Sequence, residues 1–222
     1  ITWINATLTP SSSAKTINIK SPNVIDITIS VTVDQVTIEN GATLDVQGGT
    51  LTVADGTDSD IFVQGIIKNS TNSAFTINSG ATIVVASGGK YQHNPSTAGS
   101  ITVMTWNTGS TCEILRANAT PGGTINQSYH HFIWNSQNQG ATTINLSSGL
   151  KTINGDFTVQ NTGTGKLRIA SSTNVLDIAG NMTMEDGTYV DLGNASGNST
   201  ININGNLTMN GSCTLDLMGA NA

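Results

Sequence analysis

The sequence predicts an all-β fold: a right-handed parallel β-helix, or solenoid, with coils of about 20–25 residues and no terminal caps. Three observations predict it. Apolar residues recur in short alternating runs, those runs repeat at a constant period near the C-terminus, and the composition disfavours helices while favouring tight turns.

Composition comes first. Charged residues are 10% of the chain, against roughly 25% in an ordinary soluble domain. Thr, Ser, Asn and Gly take their place. All four have low helix propensity, and Asn and Gly enter left-handed turn conformations at little cost. The regular placement of Val, Ile and Leu argues against disorder.

The period is clearest in Ile153-Asn154-Gly155-Asp156-Phe157-Thr158-Val159, Ile178-Ala179-Gly180-Asn181-Met182-Thr183-Met184 and Ile203-Asn204-Gly205-Asn206-Leu207-Thr208-Met209, which align without gaps at intervals of 25 residues. Each ends in an apolar-Thr-apolar triplet, the in-out-in alternation of a strand. Stacked coils then put Phe157, Met182 and Leu207 in one interior column and Val159, Met184 and Met209 in another. Thr158, Thr183 and Thr208 form an exterior ladder. Leu167-Arg168-Ile169, Tyr189-Val190-Asp191-Leu192, Thr200-Ile201-Asn202-Ile203 and Leu215-Asp216-Leu217 supply the other strands of each coil.

The N-terminal half is less regular. The run from Val36 to Val46 recurs from Phe75 to Val85, an offset of 39 residues that reads as two coils of about 20. Gly48 to Val53, Ile61 to Val63, Ile17 to Ile19 and Ile25 to Ile29 add strands. Residues 87–140 are the least repetitive and hold most of the aromatic and all of the histidine content, so longer loops leaving the helix are expected there. No linker interrupts residues 1–222, which read as a single β-helix segment. The missing caps imply a piece of a longer protein, and uncapped edges would permit end-to-end self-association. Cys112 and Cys213 fall about four coils apart, too far for a disulfide at roughly 4.8 Å per coil. They read as small buried hydrophobes.

The segments Val36 to Val46 and Phe75 to Val85, and above all Tyr129-His130-His131-Phe132-Ile133-Trp134-Asn135 followed by Leu150 to Val159, resemble β-helical regions of large secreted or surface proteins of Bacteroidetes, substrates of type IX secretion. The resemblance covers most of the chain and carries repeat motifs, not catalytic residues. It implies export to the cell surface or medium within large multi-domain parents.

Other classes are disfavoured. The net charge is −6, and the 8 Lys and Arg residues are scattered, whereas nucleic-acid binding needs a clustered basic surface. No apolar run approaches the roughly 18 residues of a membrane span. Ile1 to Thr9 lacks the basic start and apolar core of a signal peptide.

Candidate sites compete with simpler readings. Asp55, Asp58 and Asp60 could ligate Ca²⁺, a hard cation that takes oxygen ligands, but the distal Glu of a calcium loop is absent and a solvated turn between coils is the favoured reading. Tyr91, Trp106, Tyr129 and Trp134 could stack on sugars; core packing is the favoured reading for at least half of them. His130 and His131 would point to opposite faces of a strand, which disfavours a shared metal, and His93 reads with them as a surface residue near a loop. Arg116 and Arg168 do not adjoin a carboxylate cluster in sequence. Asp191 and Asp216 would stack about 5 Å apart, as any β-helix requires. No catalytic residue is assigned. An ice-binding face needs two threonine columns, and the repeats supply one. The expected function is therefore a non-enzymatic structural or adhesive segment. Carbohydrate binding or processing is the alternative, and an ice- or surface-binding face the third reading. The expected partners are surface glycans or other cell-surface proteins.

Overall fold

The computed structural model describes residues 16–217 except 96, 98, 122, 123, 147, 148, 170–172 and 194–198. Among the described residues every regular element is a strand. In chain order they are β1 (Ile17–Ile19), β2 (Val24–Ile27), β3 (Val31–Val33), β4 (Val36–Ile38), β5 (Thr43–Val46), β6 (Leu51–Val53), β7 (Ile61–Val63) and β8 (Ile66–Asn69). Next come β9 (Thr76–Ile77), β10 (Ile83–Val85), β11 (Lys90–His93), β12 (Thr105–Trp106), β13 (Thr111–Ile114), β14 (Ser128–Tyr129), β15 (His131–Asn135), β16 (Thr143–Asn145) and β17 (Thr152–Ile153). The last are β18 (Phe157–Asn161), β19 (Lys166–Arg168), β20 (Asn174–Ile178), β21 (Met182–Met184), β22 (Tyr189–Asp191), β23 (Ser199–Ile203), β24 (Leu207–Met209) and β25 (Thr214–Asp216).

The strands pair in parallel and stack as a β-solenoid of about 8 turns. One sheet, β2-β5-β8-β11-β13-β15-β18-β21-β24, runs through every coil. Two flanking faces change sheets midway: β1-β4-β7-β10-β12 and β3-β6-β9 serve the first half, β14-β17-β20-β23 and β16-β19-β22-β25 the second. At roughly 4.8 Å per coil, eight steps span roughly 40 Å. No helix of the described residues is long and apolar enough to cross a membrane.

The 25-residue repeat is realised residue for residue. Phe157 pairs with Met182 and Met182 with Leu207; Thr158, Thr183 and Thr208 follow, as do Val159, Met184 and Met209. Phe157, Val159, Met182 and Met184 are fully buried, while Leu207 and Met209, on the last described rung of that face, are 44% and 45% exposed. The residue before each triplet makes a second ladder. Asp156 Oδ1 accepts the Asn181 backbone N–H at 2.8 Å, and Asn181 Oδ1 accepts that of Asn206 at 2.9 Å. A short polar side chain thus satisfies a backbone donor that the bend takes out of the sheet.

In the N-terminal half the register differs from the expected one. Val36 pairs with Ile61 and Ile61 with Ile83, so the offset of 39 residues is not two coils. Thr76 instead pairs with Thr52 on a different face. What the two runs share is a turn: Ala42 N–H donates to Glu39 O at 2.9 Å with Gly41 at φ +81°, and Ala81 N–H donates to Asn78 O at 3.0 Å with Gly80 at φ +92°. A positive φ at the third turn position calls for Gly. The same turn chemistry serves two different corners of the coil.

Residues 87–140 carry longer strand-free stretches, between β11 and β12 and between β13 and β14. The through-going sheet crosses them without excursion, Lys90 pairing with Thr111 and Thr111 with His131. What breaks there are the flanking faces, and side chains bridge the gap. Gln127 Oε1 accepts from Met104 N–H (3.0 Å) and Trp106 Nε1–H (2.9 Å), while its Nε2 donates to Thr102 O (3.2 Å) and Thr124 O (2.7 Å). Gln139 likewise accepts from Trp134 Nε1–H at 3.1 Å and donates to Lys166 O at 2.7 Å. One amide side chain satisfies backbone groups that a missing strand would have paired. Cys112, buried, and Cys213, partly buried, are both free thiols.

Candidate functional site

The side chains with the most varied chemistry meet on the outer face of β16-β19-β22-β25. Leu167 and Val190 point inward and are fully buried, which turns Lys166 and Arg168, and Tyr189 and Asp191, outward. The parallel register aligns Arg168 with Asp191 and Asp191 with Asp216. Arg168 Nε and Nη2 donate to Asp191 Oδ2 at 3.0 and 2.6 Å, and Gly193 N–H donates to Asp191 Oδ1 at 2.9 Å. The Asp191 side chain is 1% exposed and that of Arg168 22%. One coil on, Tyr189 O–H donates to Asp216 Oδ2 at 3.1 Å, and Lys166 Nζ lies 4.4 Å from the Tyr189 ring centroid, a cation–π contact.

This arrangement has two layers. Asp191 is the buried layer, with both oxygens accepting hydrogen bonds from Arg168 and Gly193. Lys166, Tyr189 and Asp216 are the reachable groups: an ammonium, an amphipathic ring and a carboxylate, which suit hydroxyl-rich ligands. Sequence proximity hides the cluster because its members stand 23 and 25 residues apart. Those intervals are the coil period, which is the one signal that could have joined them.

A second polar cluster lies on the outer face of the through-going sheet. Glu113 accepts from Lys90 Nζ (2.9 Å), Gln92 Nε2 (3.0 Å) and Asn135 Nδ2 (3.2 Å). Burial opposes its charged form, but these hydrogen bonds and the Lys90 charge prevail and hold its pKa below the usual glutamate value. Lys68 pairs with Asp45 at 2.9 Å on the same face.

The aromatic residues weighed between sugar stacking and core packing lie mainly in the core. Tyr91, Tyr129 and Trp134 are fully buried, and Trp106 is partly buried with its indole N–H on Gln127. Their rings form a spine: Phe75–Tyr91 6.3 Å, Tyr91–Trp106 6.3 Å, Trp106–Tyr129 5.0 Å, Tyr129–Phe132 4.9 Å and Phe132–Phe157 5.9 Å between centroids. A ring enclosed in this way offers no face to a sugar. The inward phase of β11, β14 and β15 is the reason.

The acidic turn does not gather its three carboxylates. Asp60 is fully buried and accepts Gly56 N–H at 2.7 Å and Thr82 N–H at 2.6 Å, pinning the turn to the next coil. Asp55 and Asp58 are exposed. Among the described residues no group of three or more His, Cys, Asp or Glu side chains is placed to hold a metal ion.

Among the histidines, His93 departs from the surface position expected of it. His93 is fully buried, and its Nδ1 lies 3.0 Å from Tyr91 Oη. His130 sits in the bend before β15, not in a strand, so its ring meets that of His131 with centroids 4.3 Å apart. His131 Nδ1 accepts Asp156 N–H at 3.0 Å and so heads the Asp156–Asn181–Asn206 ladder. Desolvation, then the neighbouring His131, lowers the His130 pKa, with Asp156 opposing.

No family model, curated protein or solved structure matches this chain.

Proposed function

We propose that the chain is a non-enzymatic structural or adhesive segment, a stiff spacer in a secreted or cell-surface bacterial protein of the kind its repeats resemble. The supporting observation is the through-going sheet of nine strands, packed on a continuous interior and laced outside by the Asp156–Asn181–Asn206 ladder and the Glu113 and Asp191 clusters. Each coil is pinned to both neighbours, so bending requires breaking several ladders together. Force spectroscopy of the chain between handle domains tests this. The expected result is unfolding in discrete steps of roughly 70–85 Å, the contour of 20–25 residues at roughly 3.4 Å each. Featureless extension at low force would sink the reading.

The reachable Lys166–Tyr189–Asp216 group favours a second reading, glycan binding on that face. A glycan-array screen tests it: binding lost in Tyr189→Ala and Asp216→Asn supports it, and binding untouched by both removes it.

A further inference from the structure

We propose that Asn154 is a self-modifying residue: its side chain cyclises onto the Gly155 backbone nitrogen, with His130 as the base, and hydrolyses to aspartate or isoaspartate. The sequence holds four Asn-Gly pairs, Asn40-Gly41, Asn154-Gly155, Asn204-Gly205 and Asn210-Gly211. Glycine has no Cβ to shield its amide nitrogen, so all four pairs can cyclise in an unfolded chain. The fold separates them. Gly205 N–H donates to Gly180 O at 2.9 Å. Ala42 N–H closes the Asn40-Gly41 turn on Glu39 O at 2.9 Å, with Gly41 at φ +81°. Asn210 Nδ2 donates to Glu185 Oε2 at 2.9 Å. Each bond restrains a group that has to move for the ring to close.

Asn154 differs. Its side chain is exposed, and the residue one coil before Gly155 is His130, where Gly180 and Gly205 each have a glycine. A Cβ on Gly155 would stand 2.8 Å from His130 Nδ1, so the imidazole rests against the residue whose nitrogen attacks. That Nδ1 is buried and, among the described residues, has no hydrogen-bond partner. Desolvation and the neighbouring His131 lower the His130 pKa and keep the ring neutral, ready to take a proton. Asp156 is the carboxylate that offsets the charge when it does.

The steps balance with water as the one co-reactant. Gly155 N–H gives its proton to His130 Nδ1, and the nitrogen bonds to Asn154 Cγ. The Cγ–Nδ2 bond breaks, and the imidazolium returns the proton to the departing ammonia. Water then opens the succinimide at either carbonyl, leaving aspartate or isoaspartate. Isoaspartate adds one backbone carbon two residues before Asp156, whose Oδ1 holds Asn181 N–H.

The experiment is incubation of the full chain at neutral pH, native and in urea, with peptide mass spectrometry at intervals. Succinimide is read by loss of ammonia, and isoaspartate is separated from aspartate by fragmentation. In the native chain Asn154 should convert fastest of the four, while in urea the four rates converge. His130→Ser places at this corner the residue type of the preceding coil, where Ser110 stands beside Thr111 in register with His131. It should slow native conversion of Asn154 about a hundredfold, a usual figure for a positioned base, and leave the rate in urea unchanged. Added imidazole should restore part of the loss. Should His130→Ser fail to fold, His130→Gly, with the residue type of the following coil, carries the test. A native rate at Asn154 no greater than that at Asn204, or one that loss of the imidazole leaves unchanged, overturns the proposal.

Discussion

Arg168→Met keeps the aliphatic stem and removes the guanidinium, leaving the Asp191 carboxylate, 1% exposed, with the Gly193 N–H still donating to it. Orphaning one member of a buried ion pair costs about 3–5 kcal/mol. Arg168 is itself 22% exposed, so water can reach part of the vacated space, which puts the expected loss near the lower end, about 3 kcal/mol. Removing both charges in Arg168→Met/Asp191→Leu should recover most of that loss, since an apolar pair of similar volume often replaces a buried ion pair at little cost. Solenoids need not unfold in one step, so urea denaturation by circular dichroism is best joined to amide exchange at Ile169 and Leu192, which donate to the Asp191 and Asp216 carbonyls. Local protection should fall in the single variant and return in the double. A loss below about 1 kcal/mol in Arg168→Met, the range of solvent-exposed pairs, would refute the claim that the pair is sealed.

Three further outcomes are expected. Phe157→Ala opens a cavity against Phe132, 5.9 Å away between centroids, and should cost about 3–5 kcal/mol by thermal or urea denaturation. Gln127→Leu leaves Met104 N–H and the Trp106 indole N–H without their acceptor. Each unsatisfied buried group costs about 1–3 kcal/mol, and a shift in Trp106 fluorescence should accompany the loss. The depressed Glu113 pKa means that the unfolded chain binds its proton more readily than the folded one. Its contribution is therefore present above the unfolded glutamate value of about 4.3 and is lost as pH falls through the folded value. Glu113→Gln should flatten the acid limb of the stability–pH curve, and an unchanged limb would remove Glu113 from the account.

Local chemistry made the strands and turns legible. Phe157-Thr158-Val159 can only alternate as a strand does, and a gap-free period of 25 brings Phe157, Met182 and Leu207 to one column whatever closes the coil. The N-terminal register was not legible, because the turns at Gly41 and Gly80 share one chemistry while occupying different corners. Turn residues specify a local bend, and only packing decides which face follows it.

The candidate site divides in the same way. Asp55, Asp58 and Asp60 are close in sequence, yet folding commits the Asp60 carboxylate to two backbone donors and leaves no triad. Tyr91, Tyr129 and Trp134 carry binding chemistry in their rings, but strand phase turns all three inward. Arg168, Asp191 and Asp216 are remote in sequence and become neighbours only when coils stack. By itself, then, the sequence determined the solenoid, its strand triplets and its interior columns, because these follow from alternation and period. The tertiary structure alone decided which polar groups meet and which aromatic rings stay accessible. Those outcomes depend on inter-coil register and on burial, and no single coil contains either.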